Sequence, residues 1–199
     1  MSSELTLEIA AAAARWVVEE GMEYGPAKRR AARDVGGRSN RKAELPSNTE
    51  VETEVRAYLE LFCFDTQPAE LAALRAVAAL WMQRMVEFRP HLTGAVWRGT
   101  ATRLNNIHLQ LYCDDSKAAE LTLIDQGVDY EVGSVTGPRG AEVSVLSASS
   151  PCRALNENVT VHMSVLDHDD LRGALKPDAQ GRTERGDLNA LRALMGDKS

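Results

Sequence analysis

The sequence predicts an α+β fold in which an N-terminal helical region packs on a mixed β-sheet. Up to Pro90, apolar residues recur at the three- and four-residue steps of amphipathic helices. After Pro90 the pattern changes to the two-residue alternation of strands, most clearly in residues 159–166 (VTVHMSVL). Among the predicted strands, Asp114 and Asp115 precede a helical segment that ends at Gly127, as in a capped helix. The predicted order of strand, strand, helix and three strands gives a mixed sheet.

These patterns divide the 199 residues into three predicted segments. Residues 1–90 form the helical region, residues 91–175 the α+β domain, and residues 176–199 a C-terminal loop and short helix. In the helical region, we expect Asn48 or Thr49 to cap the third helix, because both are good N-cap residues.

Two helices frame the helical region. The first is expected from Ser3 to Gly21, and the last ends at Pro90. The last helix has a strongly apolar side that includes Trp81, Met82 and Met85. At helical spacing these side chains favour packing over a ligand site.

Composition limits the classes of function. The formal net charge of -6 argues against a protein that coats nucleic acid. Cys63, Cys113 and Cys152 are odd in number and far apart, which favours reduced core thiols over disulfides or a zinc site. Because no apolar run approaches the ~20 residues that span a bilayer, we expect a cytoplasmic protein without membrane contact.

A basic segment at residues 28–42 departs from the acidic composition. It carries seven lysines and arginines against a single acid, Asp34. Such a patch is able to hold phosphate or RNA, and the alternative is a solvated helix face with a flexible loop. The candidate phosphate or RNA contacts are Lys28, Arg29, Arg30 and Arg33.

The first two predicted strands carry the candidate site. We expect Thr93–Arg98 and Ile107–Tyr112 to pair antiparallel, with Gly99-Thr100 as the turn that ends the first strand. In the second strand, His108 points to the face opposite Ile107. By the same alternation, His162 is expected on the face that carries His108.

This layout resembles the opening of the nucleotidyltransferase superfamily over about residues 92–166. In that family, a strand ends in Gly-Ser or Gly-Thr, and the next strand carries an Asp-x-Asp pair that holds two catalytic metals. Gly99 and Thr100 match the turn, while Asn106 and His108 stand where the two aspartates should be. The resemblance implies that these four residues bind a nucleotide.

A similar order of segments occurs in a group of bacterial nucleotidyltransferase-like proteins. The shared segments resemble EGM-YGPAKRRAAR, LPSN and FRP-LTGAV-GTA. Some of these proteins carry a muramate–amino-acid ligase name. The chain contains no G-x-x-x-x-G-K-[ST] phosphate loop, so the ligase name has no support in the sequence.

The family comparison also implies a degenerate metal site. Magnesium needs hard oxygen ligands, usually carboxylates, which an amide and an imidazole do not replace. At the position of the family's third carboxylate the chain offers His162 or Ser164. We therefore expect a nucleotidyltransferase-like protein that binds a nucleotide or RNA without two-metal catalysis and without a cofactor.

Two alternatives remain open. In the first, the protein is an active transferase whose Mg²⁺ is held by other acids, such as Asp114, Asp115 or Asp167. In the second, it is a protein-interaction module.

A His/Asp metal site is a further hypothesis. His108 and His162 on one sheet face, with the acids of residues 167–170 nearby in sequence, are a donor set that suits zinc or iron. The simpler interpretation is a polar, partly solvated sheet face.

Overall fold

The computed structural model describes residues 3–36, 44–172, 175–178 and 181–196. Within these ranges the chain has the predicted α+β architecture, with seven α-helices and one six-stranded mixed sheet. It divides into two compact units, Met1–Ala69 with Thr100–Asn105 and Glu70–Gly99 with Asn106–Ser199. This division differs from the predicted boundary after residue 90.

The first unit contains three helices: α1 (Glu4–Glu20), α2 (Tyr24–Gly36) and α3 (Asn48–Phe62). As predicted, α1 begins after Ser3 and ends at Gly21, whose φ of 65° suits glycine at a helix C-terminus. The buried residues of its core come from all three helices: Ile9, Ala13, Ala14, Val17, Val18, Ala27, Ala31, Val51, Val55 and Leu59. Burial of these apolar faces is what holds the short helices together.

The cap of α3 is Ser47, and the prediction of Asn48 or Thr49 is wrong. Ser47 Oγ accepts from the backbone N–H of Glu50 at 3.2 Å. In return, Glu50 Oε2 accepts from the backbone N–H of Ser47 at 2.7 Å. This reciprocal capping box satisfies two helix-terminal donors at once.

The second unit contains the sheet and four helices. Their bounds are α4 (Gln67–Arg84), β1 (His91–Thr93), α5 (Gly94–Arg98), β2 (Ile107–Tyr112), α6 (Ser116–Asp125), β3 (Glu131–Thr136), β4 (Glu142–Cys152), β5 (Glu157–Leu166), β6 (Arg185–Gly186) and α7 (Leu188–Met195). Single 3₁₀ turns lie at Val86–Phe88 and His168–Leu171. The predicted strand at residues 159–166 and the helix capped by Asp115 are confirmed.

The strand order is β3-β4-β5-β2-β1-β6, and only β2 and β5 run parallel. Because paired residues share a face, the register separates the sheet into an apolar and a polar face. The apolar face carries the buried side chains Ile107, Leu109, Leu111, Leu146, Ala148, Val161, Met163 and Val165. The opposite face carries His108, Gln110, Ser147, His162 and Ser164.

The predicted strand Thr93–Arg98 is wrong over most of its length, because the chain turns into α5 at Gly94. Gly94 has a φ of 75°, which bends the backbone out of the strand at little steric cost for glycine. The alternation that suggested a strand is equally compatible with one turn of half-buried helix. The predicted strand Ile107–Tyr112 is confirmed, but only Thr93 of the segment Thr93–Arg98 pairs with it, since His91–Thr93 is the antiparallel partner of His108–Gln110.

A half-buried arginine holds α5 in place. Arg75 on α4 donates from Nε to Val96 O at 3.1 Å and from Nη2 to Trp97 O at 3.0 Å. Burial lowers the pKa of Arg75 from its ordinary value, and the two carbonyls at the helix C-terminus stabilise the cation. Gly99 then closes the helix with a φ of 85°.

The last strand, β6, was missed in the predicted C-terminal loop of residues 176–199. It pairs antiparallel with β1 at the edge of the sheet. Two side chains of the β1–α5 segment tie down the residues around it. Trp97 Nε1 donates to Thr183 O at 2.7 Å, and Thr93 Oγ1 donates to Glu184 O at 3.0 Å.

In the part of the chain that the structure describes, no helix is long and apolar enough to cross a membrane. The three cysteines are free thiols, and Cys152 is buried. Burial raises the pKa of Cys113, and the nearby carboxylates of Asp115, Asp114 and Asp167 raise it further.

The capping box gives a first prediction. Ser47→Ala removes the hydroxyl that accepts from Glu50 N–H, so we expect the free energy of unfolding of the first unit to fall by about 1 kcal/mol. Thr49→Ala is the matched control and should change it far less. Urea denaturation followed by circular dichroism measures both. If both variants lost the same free energy of unfolding, the assignment of Ser47 as the cap would be wrong.

A second prediction concerns the packing of β6. A Cβ on Gly186 would overlap the Trp97 indole, so Gly186→Ala should destabilise the second unit by about 1–3 kcal/mol. Trp97→Ala removes the obstacle, and the double variant should lose less than the sum of the two single variants. Chemical denaturation of the wild type, the two single variants and the double variant measures the four free energies of unfolding in this double-mutant cycle. Wild-type stability in Gly186→Ala would contradict this packing.

Candidate functional site

One row of side chains crosses all six strands of the polar face. We call it the polar row, and in strand order its members are Glu131, Ser147, His162, His108, Thr93 and Arg185. Since neighbouring strands lie about 4.8 Å apart, the row extends over roughly 24 Å. It places a carboxylate at one end, two imidazoles near the middle and a guanidinium at the other end.

His162 is held by two hydrogen bonds in the middle of this row. Asn106 Nδ2 donates to His162 Nε2 at 3.2 Å. On the other side of the ring, His162 Nδ1 lies 2.7 Å from Ser147 Oγ. Both ring nitrogens of His162 are therefore engaged, and its orientation is fixed.

His108 stacks on His162, with ring centroids 5.1 Å apart and an angle of 28° between the rings. Both rings are half-buried. The predicted meeting of the two histidines on one sheet face is thus confirmed. Beside them, a Cβ on Gly94 would lie 3.6 Å from His108 Cδ2, so the turn after β1 reaches this imidazole closely.

The structure does not bring Gly99 and Thr100 to the polar face. Gly99 is the C-cap of α5, and a Cβ there would contact Arg75 and Leu71 of α4. Thr100 is buried in the first compact unit. The predicted turn was therefore misplaced, and the glycine that directly follows the strand is Gly94.

At the other end of the row, Arg185 reaches along β2. Its Nη1 donates to Gln110 Oε1 at 2.6 Å and to the Tyr112 hydroxyl at 3.2 Å. The Tyr112 hydroxyl donates to the same Gln110 Oε1 at 2.9 Å. By alternation Tyr112 lies on the same face as His108 and Gln110, but it is buried, and its ring makes a T-shaped contact with His91.

No group of three or more His, Cys, Asp or Glu side chains in the described residues is arranged to hold a metal ion. His162 and Ser164, at the expected position of a third carboxylate, supply an engaged imidazole and a hydroxyl. The donor set of the polar face therefore does not fit two magnesium ions.

The acids of the active-transferase alternative lie at the far ends of the strands. Asp115 caps α6 and Asp167 caps the 3₁₀ turn after β5. Asp114 follows His108 by six positions of nearly extended chain, so the two lie roughly 20 Å apart. These acids do not belong to the His108 site.

The acids and histidine of residues 168–170 have other neighbours as well. Asp170 pairs with Arg139 at 2.8 Å. His168 Nε2 lies 3.1 Å from Arg89 Nη1. The hypothesis of a metal site built from His108, His162 and these residues has no support in the geometry.

Some cations of the basic segment are half-buried and contact other residues, and others are exposed to solvent. Lys28 Nζ donates to Pro46 O at 3.0 Å and to Asn48 Oδ1 at 2.9 Å. Arg30 stacks over the Trp16 ring at 3.5 Å. Among the four candidates, Arg29 and Arg33 are the two exposed side chains. The remaining cations of the segment, at positions 38, 41 and 42, lie outside the described residues.

The sequence interpretation missed three members of the site: Gly94, Ser147 and Arg185. A glycine directly after Leu92-Thr93 was a signal for the turn, but the alternation beyond it concealed this. The sequence predicts a strand at residues 142–146, so Ser147 lies one residue past its predicted end, since β4 continues to Cys152. Arg185 lies in a two-residue strand that has no sequence periodicity.

No protein-family model matches the chain, and no curated protein matches it. The nucleotidyltransferase resemblance therefore stays a prediction from the residues.

A third prediction separates the two kinds of cation on α2. Neutralising the exposed pair in Arg29→Gln/Arg33→Gln should weaken binding of single-stranded RNA and flatten its salt dependence, without loss of stability. Arg30→Gln removes the stacking on Trp16 and should instead lower the free energy of unfolding, by about 0.5–1 kcal/mol. Fluorescence anisotropy at several salt concentrations and thermal melts measure the two effects. Unchanged RNA binding in the double variant would favour the alternative interpretation, in which α2 presents only a solvated helix face.

Proposed function

We propose that this protein is a nucleotidyltransferase-like, nucleotide-binding protein whose polar sheet face binds a nucleotide without two-metal catalysis. The observation that carries the proposal is the meeting of Asn106, His108 and His162 beside Gly94. A glycine turn after one strand and a pair of side chains two positions apart on the next match the arrangement that the family resemblance implies. Gly94 takes the place that the sequence assigned to Gly99-Thr100.

The chemistry of these side chains supports binding rather than metal-dependent transfer. Asn106 offers an amide that is able to donate and accept, and the paired imidazoles offer flat surfaces. Flat aromatic surfaces and amides are the groups that recognise nucleobases by stacking and hydrogen bonding. None of the three is a carboxylate, so the face lacks the ligands that would clamp two Mg²⁺ on a triphosphate.

The fourth prediction tests nucleotide binding directly. ATP, GTP, CTP and UTP are each added to the purified protein with Mg²⁺ and with EDTA, and the melting temperature is measured. We expect at least one nucleotide to raise it equally in both conditions. His108→Ala should lower the affinity for that nucleotide by about fivefold, because one hydrogen bond or stacking contact is worth about 1 kcal/mol.

His168→Ala is the matched control, since this histidine lies beyond β5 near Arg89 and should not affect the affinity. Transfer of labelled nucleotide that EDTA and Asp114→Ala or Asp167→Ala abolish would instead establish the active transferase. Absence of any shift with all four nucleotides would overturn the proposal and favour a protein-interaction role.

A further inference from the structure

Arg185 is the cation of the polar face, and it comes from the C-terminal strand. Its partner in the register is Thr93, whose partner on the other side is His108. Its side chain extends to Gln110, which lies on the same face two positions along β2 from His108, or about 7 Å. The guanidinium therefore reaches β2, the strand that carries His108.

One edge of this guanidinium is fixed and the other lacks a good acceptor. Nη1 donates to Gln110 and Tyr112, which sets the plane of the group. On the opposite edge, Nε is buried and has no hydrogen-bond partner. Nη2 has Glu184 Oε2 at 3.9 Å, from a side chain that is 82% exposed. A buried charged donor without an acceptor is costly, and such cases call for an explanation.

The backbone that carries Arg185 is also fixed. Thr183 and Glu184 accept hydrogen bonds from Trp97 and Thr93, and Gly186 packs against the Trp97 ring. The cation is thus positioned before any ligand arrives, which reduces the entropy lost on binding.

We infer that Arg185 is the phosphate-binding residue of the polar face, and that its Nε–Nη2 edge binds a nucleotide phosphate once a neighbouring side chain has moved off the buried Nε. Two parallel N–H groups on that edge match two oxygens of a phosphate, a geometry that lysine does not reproduce. The inference rests on the proposed nucleotide binding and adds the end at which the phosphate lies. Arg185 supplies the positive charge that metal ions supply in a two-metal site.

The dimensions of the row fit such a ligand. The backbones of Arg185 and His162 are three strand spacings apart, or roughly 14 Å, and the Arg185 side chain covers part of this distance by extending to Gln110 on β2. A phosphate at Arg185 and a base at the imidazole pair place the nucleotide across β1, β2 and β5. Glu184, which lies close to Nη2, is the neighbouring group that a phosphate would have to displace or repel.

The test compares nucleosides with their 5′-diphosphates, all in EDTA. Adenosine, guanosine, cytidine, uridine, the four diphosphates and inorganic pyrophosphate are titrated calorimetrically into the wild-type protein. We expect a diphosphate to bind more tightly than its nucleoside. Arg185→Gln should weaken diphosphate binding by about 10- to 100-fold and leave the nucleoside unchanged, because charged hydrogen bonds are lost. Arg185→Lys keeps the charge but not the two parallel N–H donors. Its affinity for the diphosphate should lie between those of the wild type and Arg185→Gln.

A second variant tests the assignment even if Arg185→Gln does not fold. Glu184 is exposed, so Glu184→Gln should fold normally and should raise diphosphate affinity about two- to threefold by removing a nearby negative charge. If the wild type binds a diphosphate but neither Arg185→Gln nor Glu184→Gln changes its affinity, the assignment of Arg185 is wrong and nucleotide binding stands. If the wild type binds no nucleoside and no diphosphate, both the assignment and the proposed function fail.

Discussion

The parallel pairing of β2 with β5 determines which side chains meet in the second unit. It places His108 opposite His162 and, two positions on, Gln110 opposite Ser164. The apolar residues between them line the buried face, so a slip of one residue would bury the imidazoles and expose Leu109 and Met163. The same hydrophobic burial that stabilises the sheet therefore fixes the composition of the polar face.

Periodicity and caps predicted most of the fold, because the signals are local. The helix α1, with Ser3 and Gly21 at its ends, and strand β5 required only neighbouring residues for their prediction. By contrast, α5 depends on Arg75, which binds two of its carbonyls from a different helix. A five-residue segment has too few positions for its period to reveal such a partner. The alternation of Ala95, Val96 and Trp97 was consequently interpreted as a strand.

The candidate site was predictable to the extent that it depends on alternation within a strand. Asn106 and His108 follow from β2 alone, and the shared face with His162 follows from regular alternation in β5. Arg185 is different, since β6 is held in place by its pairing with β1 and by Trp97 and Thr93, which bind the backbone around it. No local pattern in residues 176–199 contains that information. Arg185 is therefore placed at the site by tertiary contacts, which the local sequence pattern does not reveal.

The distribution of polar groups on this face is consistent with the proposed binding of a nucleotide without metal ions. In the middle of the polar row, His162 contacts Asn106 and Ser147 through its two ring nitrogens and stacks on His108. These groups offer hydrogen-bonding and stacking surfaces. The permanent positive charge of the row lies at its end, on Arg185, whose free energy is raised by a buried Nε without an acceptor. An anionic ligand that binds this edge would be attracted by the positive charge and would supply a hydrogen-bond acceptor to the unsatisfied Nε–H. In the proposed complex, the base of the nucleotide lies over the imidazoles and its phosphate points toward β6.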